Sequence, residues 1–230
     1  IQGFEPGPER PDAPRIIPGF IDLHVHGGNG ADAMEGEAAL LTMSRWHARH
    51  GTCSLLATTI SASLEELKAC IAAIEKVSAL SRPQGARILG CHLEGPYINS
   101  DKKGAHPVIT LDRQRPDQIY ELCESRCVRV ITLAPETFRN TEFIRHLSER
   151  GIRVQIGHSM AAYEEVIEAM AEGVSGFTHL FNAMSPLQHR APGVVGAAFA
   201  KAQYAELIPD LFNVHEGAML AAFRAIPNLY

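Results

Sequence analysis

Short apolar runs alternate with helix-period stretches along most of the chain. Seven runs rich in aliphatic and β-branched residues predict β-strands. They span residues 17–25, 53–60, 86–94, 128–134, 153–159, 176–182 and 205–214. Most of these runs are nearly continuous in their apolar residues, which is typical of parallel strands covered on both faces. The pattern therefore predicts parallel βα units.

Helices are predicted between these strands. Amphipathic patterns cover 37–50, 139–150 and 161–172, and in each case a glycine follows the last periodic residue, as at many helix ends. A further helix is predicted after Ser63, because Ser63 and Glu66 have the spacing of a capping box.

Most of the predicted strands end in polar residues that could bind a metal ion. These residues are His24 and His26, His92 and Glu94, His158 and Ser159, and His179 and Asn182. A closed barrel brings the carboxyl ends of all its strands to one rim, whereas an open doubly wound sheet spreads them across its width. The α/β sequence therefore favours a (β/α)8 TIM-type barrel over the doubly wound alternative.

Composition narrows the classes of function. The chain has 230 residues, 46% hydrophobic and 20% charged, and 21 basic against 26 acidic side chains give a net charge of -5. This mild acidity does not indicate binding to nucleic acid or to an anionic membrane. No apolar run approaches the ~20 residues of a transmembrane helix. We expect a cytoplasmic protein whose five cysteines are reduced.

The eleven histidines suggest metal chemistry through their positions. His24 and His26 lie two apart on a strand and so point to the same side. Glu94 ends an apolar strand, where a carboxylate is costly unless it is paired or binds a metal. With His158 and His179 it makes a donor set suited to a divalent transition metal. The simpler reading for His47, His50, His146 and His189 is that they lie on helices or in loops without a role in metal binding.

Several motifs carry a family resemblance. PGFIDLHVHGG resembles the opening of the amidohydrolase superfamily barrel, and HLEGPYINSDKKGAH, GHS and THLFNAMSPLQHRAPGVVG resemble the N-acetylglucosamine-6-phosphate deacetylases. The resemblance extends from about Pro18 to the chain end. It implies metal-dependent hydrolysis of the acetamide of N-acetylglucosamine 6-phosphate, giving glucosamine 6-phosphate and acetate. It also implies a homodimer.

The resemblance assigns roles to individual residues. The implied ligands of the principal metal are Glu94, His158 and His179, and His24 and His26 match a pair that could hold a second ion. Zinc or iron is expected, as one or two ions. The implied substrate-binding residues are His106, Asn182, Ala183, Arg190, Asn213 and His215. Asn213 stands where the family has a histidine, so either Asn213 or His215 could make that contact.

The resemblance also implies features that these 230 residues do not supply. The family's proton-transferring aspartate follows an eighth strand, which would lie beyond Tyr230, so the catalytic residue is unknown within this sequence. We expect residues 1–15, with four prolines, to be a connector or a remnant of a small β-sandwich, and 16–230 to be an incomplete hydrolase barrel. Two alternatives stay open: another amidohydrolase acting on a cyclic amide or an amine, and a catalytically inactive sugar-phosphate-binding homologue.

Overall fold

A computed structural model describes residues 17–80, 84–107, 116–138 and 141–230. Its centre is a six-stranded parallel sheet, whose strands are named next in their spatial order; β2 (Gly27–Gly28) and β3 (Ala31–Asp32) form a separate small ladder described below. The strands are β1 (Phe20–Val25), β4 (Thr52–Thr58), β5 (Arg87–Glu94), β6 (Val128–Leu133), β7 (Arg153–Ile156) and β8 (Val174–Phe177). Strands that are neighbours along the chain are also neighbours in space, as in a barrel, whereas the order in a doubly wound sheet reverses at a switch point.

Two short strands continue this order. β9 (Tyr204–Ala205) pairs in parallel with β10 (Asn228–Leu229). Next to β9, the Glu206 amide donates to the carbonyl of Phe177 at 2.8 Å, which joins this segment to the end of β8. The sequence pattern had not predicted β10, and these two residues lie where an eighth barrel strand would begin.

The sheet curls so that its first and last parts approach each other. His24 of β1 and Glu206 after β9 are joined by a 3.0 Å contact between Nδ1 and Oε2. Among the described residues, β1 pairs only with β4, and Phe20 and Ile21 are 61% and 63% exposed. The fold is therefore a TIM-type barrel that is incomplete over the described residues, as the sequence predicted.

Helices cover the outside of the sheet. They are α1 (Glu37–Arg49), α2 (Leu64–Ser78), α3 (Pro116–Leu122), α4 (Glu142–Glu149), α5 (Tyr163–Ala171), α6 (Gly193–Lys201) and α7 (Glu216–Ala225). The predicted capping box begins α2. The Ser63 hydroxyl oxygen accepts a hydrogen bond from the Glu66 amide, and the Glu66 carboxylate accepts one from the Ser63 amide. β2 (Gly27–Gly28) forms a small antiparallel ladder with β3 (Ala31–Asp32).

The strand predicted over 205–214 extends far beyond the strand that the structure has there. Only its start belongs to β9, because Pro209 interrupts the run and the Asp210 carboxylate accepts the amides of Phe212 and Asn213, which forms a turn. Residues 205–214 are thus mostly loop, and this loop forms part of the cavity wall described below.

Three other expectations concern the connector over 1–15, the cysteines and membrane-spanning helices. The connector predicted over 1–15 lies outside the described residues. All five cysteines are free, and four of them are buried. No helix in the described part of the chain is long and apolar enough to cross a membrane.

Candidate metal centre

Glu94, the last residue of β5, lies at the centre of a group of five imidazoles. It is 2% exposed. Its Oε1 lies 3.0 Å from Nε2 of His179, 3.2 Å from Nε2 of His158 and 3.3 Å from Nε2 of His24. Its Oε2 lies 3.1 Å from Nε2 of His26 and 3.0 Å from Nε2 of His106. The barrel thus brings the strand-end residues together at one rim.

The backbone fixes which nitrogen of His158 and His179 carries the proton. His158 Nδ1 lies 2.7 Å from the carbonyl of Lys102, and His179 Nδ1 lies 3.1 Å from the carbonyl of Asn182. A carbonyl can only accept, so Nδ1 is the donor in both rings. In the neutral form each Nε2 therefore presents a lone pair to the site.

These lone pairs converge on one point. The two Nε2 atoms lie 3.0 Å apart, and both face Glu94 Oε1. Three acceptors at such distances repel one another unless positive charge lies between them. Glu94, His158 and His179 can offer ligand atoms within 4.8 Å of one another, so this donor set fits a divalent cation.

His24 and His26 form a second group on the other side of Glu94. Their Nε2 atoms lie 3.1 Å apart, and together with Glu94 they meet the same distance criterion for holding an ion. His24 is less exposed than His26, with side chains 18% and 41% accessible. Glu94 therefore belongs to both candidate groups.

His106 faces Glu94 with the opposite tautomer. Its Nδ1 accepts the backbone amide of Ser61 at 3.0 Å, so Nε2 carries the proton that is donated to Glu94 Oε2. Burial lowers the pKa of His106 and outweighs the opposing effect of Glu94. The ring is therefore neutral. A neutral ring of this tautomer is a hydrogen-bond donor to Glu94 and has no free Nε2 lone pair for a metal.

His92 does not contact Glu94, although the two share a face by strand periodicity. Its Nδ1 donates to the carbonyl of Leu23 at 2.9 Å, and its Nε2 lies 2.7 Å from Thr132 Oγ1. Burial and the charge of His24 lower the pKa of His92 to about 4. His92 therefore supports the backbone immediately before His24.

Two of the candidate ligands occupy strained backbone conformations. His158 and His179 have φ of 50° and 35°, in the left-handed region that is uncommon for residues other than glycine. Each follows the end of its strand by two residues, so this conformation turns the ring inward over the rim. Gly104, with φ of 56°, approaches His158 so closely that a Cβ there would lie 3.2 Å from Cε1 of the ring.

The protonation states of Glu94 and His24 reflect this crowding. Burial alone would raise the pKa of Glu94, but contacts with the surrounding imidazoles outweigh it and hold the pKa well below the usual range. Burial opposes protonation of His24, yet hydrogen bonds to Glu206 and Glu94 raise its pKa to about 10. The cation-free site therefore holds a proton on His24 at neutral pH.

The candidate metal ligands lie in a cavity of about 1060 Å³. Among the residues expected to bind substrate, His106, Asn182, Ala183 and Asn213 line it. Asn182 Nδ2 donates to the carbonyl of Asn213 at 3.3 Å, linking two of them. Arg190 is exposed and is not among the lining residues. His215 is also outside the lining and caps α7 by accepting the amide of Gly217.

Three participants in the site escaped the sequence reasoning. They are the Lys102 carbonyl, Ser61 and Glu206. A backbone carbonyl carries no sequence signal, and Ser61 lies in an ordinary polar turn. Glu206, however, is a carboxylate in the apolar run AELI, and the reasoning that singled out Glu94 applies to it equally.

Curated relatives match most of this chain. A 39% identical N-acetylgalactosamine-6-phosphate deacetylase from Escherichia coli O157:H7 aligns with 95% of this chain and 60% of its own length. An N-acetylglucosamine-6-phosphate deacetylase from Vibrio furnissii is also 39% identical, over 91% of this chain and 53% of its own. The chain thus spans little more than half the length of these curated relatives.

The fold agrees with that of a solved relative. A crystal structure of N-acetylglucosamine-6-phosphate deacetylase from Pasteurella multocida superposes with a TM-score of 0.85 at 33% identity, covering 92% of this chain and 56% of that one. The sequence profile of the amidohydrolase family matches residues 15–226. The chain therefore belongs to the amidohydrolase family.

Proposed function

We propose that the protein hydrolyses the acetamide of N-acetylglucosamine 6-phosphate, releasing acetate and glucosamine 6-phosphate. The observation that carries this proposal is the convergence of Glu94 and the Nε2 lone pairs of His158 and His179 in a large open cavity. The deacetylase relatives supply the reaction and the substrate class.

The proposed metal centre consists of Glu94, His158 and His179, with His24 and His26 as ligands of a second ion. A divalent cation supplies hydrolytic chemistry by lowering the pKa of bound water and polarising a carbonyl group. Zinc or iron is proposed, because a nitrogen-rich set with one carboxylate suits either ion. Lys102 and Asn182 orient the imidazoles through their carbonyls.

His106 is proposed to position the acetamide of the substrate. It is buried, neutral and held by Ser61, and it lines the cavity beside the metal ligands. Its ring lies 4.6 Å from that of His158, between centroids. Its single N–H is donated to Glu94 Oε2, so the carbonyl oxygen of the bound group, which gains negative charge during hydrolysis, would have to take this hydrogen bond in place of Glu94.

Asn182, Ala183, Asn213, Arg190 and His215 are proposed to bind the sugar phosphate. Asn182 Oδ1 is buried without a hydrogen-bond partner among the described residues, and the nearby loop presents polar groups to the cavity. Arg190 supplies a guanidinium suited to a phosphate dianion. Because Arg190 is exposed, this role requires the side chain or its loop to reach the substrate.

The assembly is part of the same proposal. Residues 16–230 are proposed to be the hydrolase barrel, completed next to the exposed apolar edge of β1 by further protein. A homodimer is proposed, to be tested by light scattering during gel filtration. A phosphorylated sugar is a charged substrate that does not cross membranes unaided, which supports a cytoplasmic location.

Acetate release tests the function. The protein, loaded with Zn²⁺ or Fe²⁺, is incubated with N-acetylglucosamine 6-phosphate, and acetate and free amine are both measured. N-acetylgalactosamine 6-phosphate and unphosphorylated N-acetylglucosamine are the comparison substrates. Preferential turnover of N-acetylglucosamine 6-phosphate is expected. Turnover of a cyclic amide instead, or tight binding of metal and sugar phosphate without acetate release, would select one of the two alternative functions.

A further inference from the structure

Glu206 is a buried carboxylate in the cavity wall that the proposed reaction leaves without a role. It is 6% exposed. Its backbone amide donates to the carbonyl of Phe177 at 2.8 Å, and its carbonyl accepts the amide of Leu180 at 2.8 Å. These two bonds tie the residue to both ends of the segment that contains His179, so the direction of its side chain is set by the barrel.

The two carboxylate oxygens of Glu206 have different surroundings. Oε2 lies 3.0 Å from His24 Nδ1, whereas Oε1 is buried without a hydrogen-bond partner among the described residues. A half-satisfied buried carboxylate is costly for folding. Its Oε2 contact is with a residue of the His24/His26 pair, so a compensating function of Glu206 lies at that pair.

The contact with Glu206 determines which ring nitrogen of His24 faces His26 and Glu94. A carboxylate accepts the Nδ1 proton, so Nε2 is the nitrogen that faces His26 Nε2 at 3.1 Å and Glu94 Oε1 at 3.3 Å. His158 has the same arrangement, but there the acceptor is a neutral carbonyl. A charged acceptor orients the ring more strongly and makes Nε2 more basic.

We propose that Glu206 is a positioning residue that holds His24 for a cation bound by His24, His26 and Glu94. Occupancy of this side of the site depends on Glu206, whereas the side formed by Glu94, His158 and His179 does not. The inference rests on the metal centre of the proposed function and on no particular substrate.

Metal titration without substrate tests this dependence. Chelator-treated protein is titrated with Co²⁺ by calorimetry and visible absorption, and bound metal is counted by mass spectrometry after gel filtration. The unaltered protein is expected to bind two ions. Glu206→Leu is expected to bind the ion at His158 and His179 normally and the other about 10–100-fold more weakly. His26→Asn identifies which binding step belongs to the His24/His26 side.

Two further variants separate the positioning of His24 by Glu206 from a general loss of structure in Glu206→Leu. Glu206→Gln keeps an oxygen that accepts from His24 but lacks the charge, so it should recover part of the affinity lost in Glu206→Leu. Glu164→Gln removes a negative charge from the exposed start of α5 and should change neither step. If Glu206→Leu does not fold, as judged by circular dichroism, Glu206→Asp gives the same comparison by withdrawing the carboxylate.

The outcomes are distinct. Unchanged affinities in Glu206→Leu, equal weakening of both ions, or a single bound ion in the unaltered protein would each overturn the inference. Acetate release is not measured, so failure of the proposed deacetylation leaves this result readable. Glu206-dependent binding of two ions, in a protein that the separate assay shows to release no acetate, would contradict the proposed function alone.

Discussion

His106 donates its Nε2 proton to Glu94 at 3.0 Å because its Nδ1 accepts the backbone amide of Ser61. His158 touches the same carboxylate at a similar distance but carries its proton on Nδ1, which is bound to the Lys102 carbonyl. Two imidazoles at one carboxylate are thus of opposite tautomers. His106 supports the carboxylate as a hydrogen-bond donor, and Nε2 of His158 is free to bind a metal.

This difference predicts opposite results for the same substitution. His158→Gln should lose the principal metal ion, whereas His106→Gln should retain it and lose turnover, because only His158 offers a lone pair to the ion. Metal content by mass spectrometry and acetate release measured on the same preparations check this. Loss of metal in His106→Gln would show that its tautomer is not the one fixed by Ser61.

Glu94→Gln should lose metal and activity together. The amide keeps the size of the side chain but replaces one of the two oxygens with an NH₂ group, so the negative charge shared by both metal groups disappears. The matched control is Glu136→Gln. Glu136 is another carboxylate near the rim, held by Asn99 and Ser159, and it belongs to none of the metal groups. Metal retained in Glu94→Gln would contradict the ligand assignment.

Binding at His24 should release a proton. Burial opposes protonation, but Glu206 and Glu94 raise the pKa of His24 to about 10, so the cation-free protein carries this proton at pH 8. A cation at Nε2 displaces it. About one proton per ion is therefore expected, with affinity rising about tenfold per pH unit until pH approaches about 10. Calorimetry in buffers of different ionisation enthalpy measures the release, and no buffer dependence would refute it.

The same pKa sets the sign of a stability change in chelator-treated protein. The folded pKa of His24 lies above its ordinary value of 6.5, so folding is favoured by its protonation. That contribution is fully present below about pH 6.5 and is lost as pH rises through about 10. Urea unfolding of His24→Asn beside the unaltered protein should show this contribution shrinking with increasing pH.

Local patterns were enough to predict most of the fold and to bring the candidate ligands to one rim. Continuous apolar strands and the Ser63 capping box predicted elements that the structure has, because each depends on neighbouring residues. Strand-end polar residues could be assigned to one rim since parallel strands in a barrel share that geometry. Glu94, His158 and His179 are therefore readable from sequence once the barrel is inferred.

What escaped prediction depends on contacts distant in sequence. His24 and Glu206 are 182 residues apart, and their contact exists only because the sheet curls. The tautomers depend on the Lys102 and Asn182 carbonyls, which any residue type supplies. The run 205–214 looked like a strand because its apolar residues are dense, but Pro209 and the Asp210 turn prevent it from continuing.

Arg190→Ala should raise the Michaelis constant for the phosphorylated substrate about 10–100-fold with little change in kcat. The guanidinium is proposed to bind the phosphate, which does not react, and a charge-assisted hydrogen bond is worth about 1.5–3 kcal/mol. Arg49→Ala, which removes an exposed guanidinium from α1, is the control. An equal effect of Arg190→Ala on the unphosphorylated sugar would rule out this role.

Thr132→Val should destabilise the barrel by about 1–3 kcal/mol, because it leaves buried polar groups without partners. Thr132 Oγ1 lies 2.7 Å from His92 Nε2 and 2.7 Å from Thr178 Oγ1. His92 has its pKa lowered to about 4, so the neutral ring needs a donor at Nε2, and the Thr132 hydroxyl is that donor. Valine has the same shape but cannot supply it.

Urea unfolding of chelator-treated protein measures the effect of Thr132→Val apart from metal binding. Thr42→Val is the matched control, because the Thr42 hydroxyl bonds to the Ala38 carbonyl on the surface of α1. It should change the free energy of unfolding by less than about 0.5 kcal/mol. His92 also supports the Leu23 carbonyl beside His24, so Thr132→Val should additionally weaken the ion at His24 and His26. Equal stabilities of the two variants would mean that the Thr132 hydroxyl is not needed by His92.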